Sequence, residues 1–132
     1  MTRPELETYI ESTFGISPDY PFTGDFVTAV FRHPGNRKWF AIAMQIPKTK
    51  LGISEDGIID IVNVKCDPEV LHSFRGQPGI YPAYHMNRNH WLTAALDSAL
   101  DGHVDDRTME FLLGISYDLT KGKKKTVSAK TS

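Results

Sequence analysis

Leu6, Tyr9, Ile10, Thr13 and Phe14 recur at the three-and-four spacing of a helix face, and the run stops at Gly15. Thr2-Arg3-Pro4-Glu5 stands in front of them as a capping box with proline in the first turn, so the pattern predicts an amphipathic first helix. Gly15 to Asp25 holds two prolines among its loop-forming residues and reads as an irregular crossing. The period then changes to two. Phe26 to His33 and Lys38 to Ile46 are β-branched and aromatic runs around Pro34-Gly35-Asn36-Arg37, which predicts an antiparallel hairpin. Along the second strand, alternation assigns Phe40, Ile42, Met44 and Ile46 to the core face and Trp39, Ala41, Ala43 and Gln45 to the other. A third strand runs from Ile58 to Cys66 after the turn at Glu55-Asp56-Gly57.

Asp67-Pro68-Glu69 opens a short second helix that carries Leu71 and Phe74 and ends at Gly76. Tyr81 to Met86 and His90 to Asp97 predict two more strands, with Asn87-Arg88-Asn89 as the bend between them. Asp105 caps a final helix lined by Met109, Leu112, Leu113, Ser116 and Tyr117. Helix, three strands, helix, two strands, helix is the order of an α+β two-layer sandwich: a five-stranded antiparallel sheet with helices on one face. Residues 1–120 form the single expected domain, and the lysine-rich 121–132, almost free of large apolar residues, is expected to be disordered. The sheet face away from the helices is left to water, a partner or a ligand.

A chain of 132 residues, 40% hydrophobic, has the length of one domain with one core. The longest apolar run, Trp39 to Met44, is six residues, far below the roughly 18 that a membrane-spanning helix needs. The N-terminus lacks a secretory pattern, so a cytoplasmic location is expected. The single cysteine, Cys66, excludes an internal disulfide and a multi-cysteine zinc site, and its position at a strand end predicts a buried, unreactive thiol.

Charge adds more. The net charge is −1, but residues 121–132 carry five lysines and no acid, which leaves ten basic against sixteen acidic groups in residues 1–120, a net −6. Within that acidic body, Phe26 to Ser54 and Val70 to Leu96 contain no Asp or Glu. Arg32, Arg37, Lys38, Lys48, Lys50 and Arg88 fall in these windows at predicted strand ends and loops, which makes them candidate phosphate contacts. Trp39 and Trp91 fall on the predicted helix-free face and are candidate interface residues, for a second copy of the chain or another protein, whereas a register shifted by one residue would put them in the core. DNA, the chain itself or another protein are thus the partners expected, and no membrane.

Catalytic patterns are weaker. Tyr117 and Lys121 have the Tyr-x-x-x-Lys spacing of short-chain dehydrogenases, but no glycine-rich nucleotide loop follows a strand. His85 and His90 flank one turn yet supply too few ligands for zinc. Cys66 with His72 forms a nucleophile pair only if the helix start between them aims both at one point. Asp97, Asp101, Asp105 and Asp106 resemble a cation cluster, although helix capping accounts for Asp105 and the helix dipole for Asp106. No catalytic residue, metal or cofactor is expected.

VKCDPEVLHSFRGQPGIYPAYHMNRNHWLTAALD followed by LLGISYDL resembles the MmcQ/YjbR family of small bacterial proteins. The likeness is carried by Lys65, Cys66, Pro78, Gly79, His85, Met86, Asn87, His90, Trp91, Ser116 and Tyr117, and spans roughly Leu6 to Thr120. Relatives usually have lysine where this chain has Arg88, which keeps the charge and adds bidentate geometry. The resemblance implies a fold like that of secretion chaperones, α-β3-α-β2-α, and a DNA-binding role of the double-wing kind.

Overall fold

The computed structural model describes residues 1–22, 27–96 and 103–122. Its elements are α1 (Arg3–Phe14), β1 (Ala29–Arg32), β2 (Trp39–Pro47), β3 (Ile58–Lys65), α2 (Pro68–Phe74), β4 (Ile80–Pro82), β5 (Trp91–Ala95) and α3 (Asp106–Thr120). Phe26, Asp97, Asp101 and the tail from residue 123 lie outside the described residues.

The helix starts are set by the side chains the sequence points to. Thr2 Oγ1 accepts from the Glu5 amide at 3.3 Å, while a Glu5 carboxylate oxygen accepts from the Thr2 amide at 2.9 Å, which closes the capping box on α1. Asp67 and Asp105 accept from the amides of Val70 and Thr108 in the same way. At the far end of α1, Gly15 takes the left-handed conformation, φ 71°, that ends the helix.

The sheet order is β1-β2-β3-β5-β4, with every neighbour antiparallel. All three helices cover one face, where Leu6 and Ile10 of α1, Leu71 of α2 and Met109, Leu112 and Leu113 of α3 share a cluster with sheet residues. The start of α1 lies against the start of α3, with the Met1 amino group 2.5 Å from Asp106 Oδ1. At the other end Phe14 stacks on Tyr117, ring centroids 4.4 Å apart, so the two helices run in the same direction.

The face assignment along β2 is corrected. Phe31 pairs with Ala41 but Arg32 pairs with Trp39, so Phe40 is the extra residue of a β-bulge. Ala41 and Ala43, paired with Val64 and Val62, face the helices, and Ile42, Met44 and Ile46 face away. The bulge keeps Phe40 on the helix side, against Phe14 and Tyr117, and turns Trp39 to the opposite side beside Arg32. Alternation misled here because both faces are buried, so hydrophobicity does not distinguish them.

The helix-free face is therefore not bare. Ile46, Ile59, Ile61 and Ala95 form a second cluster on it, with Leu51, Ile53, Tyr81 and Tyr84 packed over them from the loops and β4. A further correction concerns β4, which ends at Pro82 rather than reaching Met86. Proline cannot donate to a ladder, and the chain beyond it folds into an irregular loop in which His85 adopts a left-handed φ of 58°. That loop is pinned to the sheet: the Tyr84 amide donates to Thr93 Oγ1 at 2.9 Å, and Asn63 Nδ2 donates to the Tyr84 carbonyl at 3.0 Å.

Candidate functional site

The antiparallel register gives the sheet two distinct ends. β2 starts beside Lys38 and finishes at Lys48, and nine residues at a rise of ~3.3 Å separate those ends by about 30 Å. β1, β3 and β4 finish at the Lys38 end, and β2 and β5 start there. Arg32, Arg37, Lys38, Lys65 and Arg88 consequently gather at that end. Lys48 and Lys50 sit at the opposite one, where Lys48 is tied to Glu55 at 2.9 Å. Of the six cations picked out in the acid-free windows, Lys48 and Lys50 lie at the opposite end of the sheet from the other four.

Among the described residues, Arg37, Lys38, Lys65 and Arg88 enter no ion pair, whereas Arg32 is held by Asp19 at 2.5 Å. The registers Arg32↔Trp39 and Lys65↔Trp91 lay cations and indoles alternately across the helix-free face near this end. The Arg32 guanidinium lies 5.8 Å from the centre of the Trp39 ring, and Phe22 meets the same ring edge-on at 6.4 Å. Both tryptophans are half-buried.

Each edge of this end carries a cleft. Beside β1, a shallow one of about 420 Å³ is lined by Ser17, Asp19, Arg32 and Arg37. The buried Nε of Arg32 has no hydrogen-bond partner there among the described residues. Beside β4, a narrower cleft of about 250 Å³ brings Arg88 together with Arg75. Sequence reasoning passed over Arg75; its signal was its place in an acid-free stretch, directly before the chain-reversing Gly76.

The remaining motif residues are structural. Ser116 bonds across to the sheet: its hydroxyl donates to the Phe40 carbonyl at 2.5 Å and accepts from the Lys65 amide at 2.8 Å. Tyr117 is wedged among Phe14, His33 and Phe40, and Lys121 pairs with Asp118 at 3.4 Å, so the Tyr-x-x-x-Lys spacing assembles no site. Asn87 Oδ1 accepts from the Asn89 amide at 2.9 Å and its carbonyl accepts from the amides of His90 and Trp91, which turns the chain into β5. The His90 carbonyl accepts from the Cys66 amide at 2.8 Å. His85 stands against the Tyr84 ring. Burial, with a smaller contribution from Asp67, pushes the Cys66 thiol up to about 12, while His72 is exposed on α2. The Thr108 amide and hydroxyl hold Asp105 below the usual carboxylate range, consistent with capping. Among the described residues no three His, Cys, Asp or Glu side chains gather as metal ligands.

A family model described as YjbR matches residues 12–119. YyaQ of Bacillus subtilis (strain 168) is 37% identical over 97 residues, covering 74% of this chain and 82% of that protein. The crystal structure of a Pseudomonas syringae protein superposes with a TM-score of 0.85 at 39% identity, over 91% of this chain and 99% of that one. Deinococcus radiodurans protein DR2400, with a DUF419 domain, superposes with a TM-score of 0.66 at 28% identity, over 94% of this chain and 83% of the other. The chain belongs to the YjbR family.

Proposed function

We propose, from YjbR-family membership and the Lys38 end together, that this protein binds nucleic acid through the phosphate backbone. The observation that carries the reading is the set Arg37, Lys38, Lys65 and Arg88, four cations at one end of the sheet with no ion pair among the described residues. Edge to edge the five strands span about 19 Å at ~4.8 Å each, roughly five or six base-pair steps of ~3.4 Å. Trp91, paired with Lys65 across the sheet, offers a face on which an unpaired base can stack. Lys48 and Lys50 take no part.

Fluorescence anisotropy with random duplex and single-stranded DNA across a salt series tests this. Four phosphate contacts give a log-affinity against log-salt slope of about −3.6 on duplex. Replacing Arg37 and Lys38 by Gln flattens the slope by about 1.8, and replacing Lys48 and Lys50 leaves it unchanged. No binding at low salt refutes the reading.

The alternative, homodimer or protein contact through Trp39 and Trp91, has less support, because Arg32 and Phe22 already cover Trp39. Light scattering of the wild type and of Trp91→Ala tests it, and it fails if the wild type remains monomeric at high concentration.

A further inference from the structure

The cleft between α2, β4 and the loop leading into β5 is a small-molecule site, and we infer that its ligand is a small organic acid: a ring-sized apolar body bearing one carboxylate or phosphate. Leu71, Ile80, Pro82 and Leu92 give the cleft an apolar lining, and among the described residues no carboxylate lines it. Arg75 and Arg88 both border it, and neither has an ion pair among the described residues. Arg88 Nε donates to the Ala83 carbonyl at 3.4 Å, which holds the guanidinium in place while its terminal nitrogens remain without protein acceptors among the described residues.

Arg75 and Arg88 place two cations at the rim of one apolar slot, an arrangement that an anion seated between them would balance. The guanidinium fork matches carboxylate and phosphate oxygens in pairs. The volume agrees with the lining: a cavity of about 150 Å³ already accepts benzene, so about 250 Å³ leaves space for a ring together with a charged head group. The walls are built rather than mobile strands of chain. Gly76, φ 84°, reverses the backbone directly after Arg75, and the turn closes through the Gln77 amide to the Phe74 carbonyl and the Ile80 amide to the Gln77 carbonyl, each at 3.1 Å.

This inference stands apart from the nucleic-acid reading, which uses Arg88 but not Arg75. The test is methyl NMR of the full chain titrated with phenyl phosphate, benzoate and the neutral benzyl alcohol. Phenyl phosphate and benzoate are expected to shift the methyl signals of Leu71, Ile80 and Leu92 saturably at millimolar concentration. Losing a charge-assisted pair in Arg75→Gln or Arg88→Gln weakens this about tenfold or more, and Arg75→Lys, which keeps the charge without the fork, weakens it less. Both arginines are exposed, so unchanged core methyl signals verify the fold of each variant. Binding of phenyl phosphate without any DNA binding supports the cleft and removes only the nucleic-acid reading. The inference is overturned if no saturable shift occurs, if benzyl alcohol binds equally well, or if Arg75→Gln binds phenyl phosphate as the wild type does.

Discussion

The backbone amide of Lys65 donates to the side-chain hydroxyl of Ser116 at 2.8 Å, across 51 positions of sequence. The same hydroxyl donates onward to the Phe40 carbonyl at 2.5 Å, so one side chain of α3 stands between β2 and β3 where the bulge parts them. The last paired residues there are Ala41 and Val64, and Ser116 replaces the ladder bond that would come next. Ser116→Ala leaves a backbone donor and a backbone acceptor without this partner in a closed site. Orphaned groups of that kind cost about 1–3 kcal/mol each, so the variant is expected to lose about 2–6 kcal/mol in urea unfolding. A loss below about 0.5 kcal/mol would mean that water replaces the hydroxyl freely.

Ala43 tests which face of the sheet carries the helices. It is fully buried in the cluster that α1 and α3 share with Val62 and Leu92. Ala43→Leu adds three carbons to a packed contact, and overpacking of this kind costs about 1–3 kcal/mol. At a position with room for a larger side chain the same change would be neutral or slightly stabilising. A variant with an unchanged thermal midpoint would contradict the close packing of Ala43 in that cluster.

The order of elements was legible because its signals are local: Thr2 with Glu5, Asp67 with Pro68, and Asp105 each cap a helix as their spacing predicts. Whatever depended on a break in regularity was not. A single extra residue at Phe40 breaks the alternation, so Phe40 faces the helices while Ile42, Met44 and Ile46 face away, and nothing in the hydrophobicity of a doubly buried strand announces it. Pro82 shortens β4, and the left-handed residue in the following loop is His85, not one of the asparagines. The cations illustrate the same limit at the level of the site. Lys38 and Lys48 share one acid-free window, yet the strand between them carries them to opposite ends. Arg75 and Arg88, thirteen positions apart, meet at one cleft because the two-strand return through β4 and β5 folds back on α2.

Cys66 is expected to resist thiol reagents in the folded protein. Its pKa, raised from 9.0 to about 12 by burial and then by Asp67, leaves about a thousandfold less thiolate at a given pH, and thiolate is the reacting species. A disulfide-exchange colorimetric assay should show labelling only as fast as the protein opens, with full reaction in denaturant. Rapid labelling of the native chain would show that the strand end frays around it.

His33 should make stability depend on pH in a defined direction. Its ring is buried between Phe40 and Tyr117, and Nε2 lies 2.8 Å from Thr120 Oγ1. The Thr120 hydroxyl donates to the Ser116 carbonyl at 2.7 Å, which leaves its oxygen as the acceptor for a His33 Nε2–H. Loss of hydration on burial lowers its pKa beneath the ordinary 6.5; the Tyr117 backbone opposes that change and Lys121 adds to it. The unfolded chain therefore takes up this proton before the folded one does. The contribution is complete above pH 6.5, declines as pH falls below it, and is exhausted once pH is beneath the folded-state value. Urea midpoints measured from pH about 7.5 to about 5.5 should fall more steeply for the wild type than for His33→Gln, which cannot titrate there. Equal slopes for the two proteins, or a wild-type midpoint that rises relative to the variant on acidification, would show that His33 accepts its proton in place.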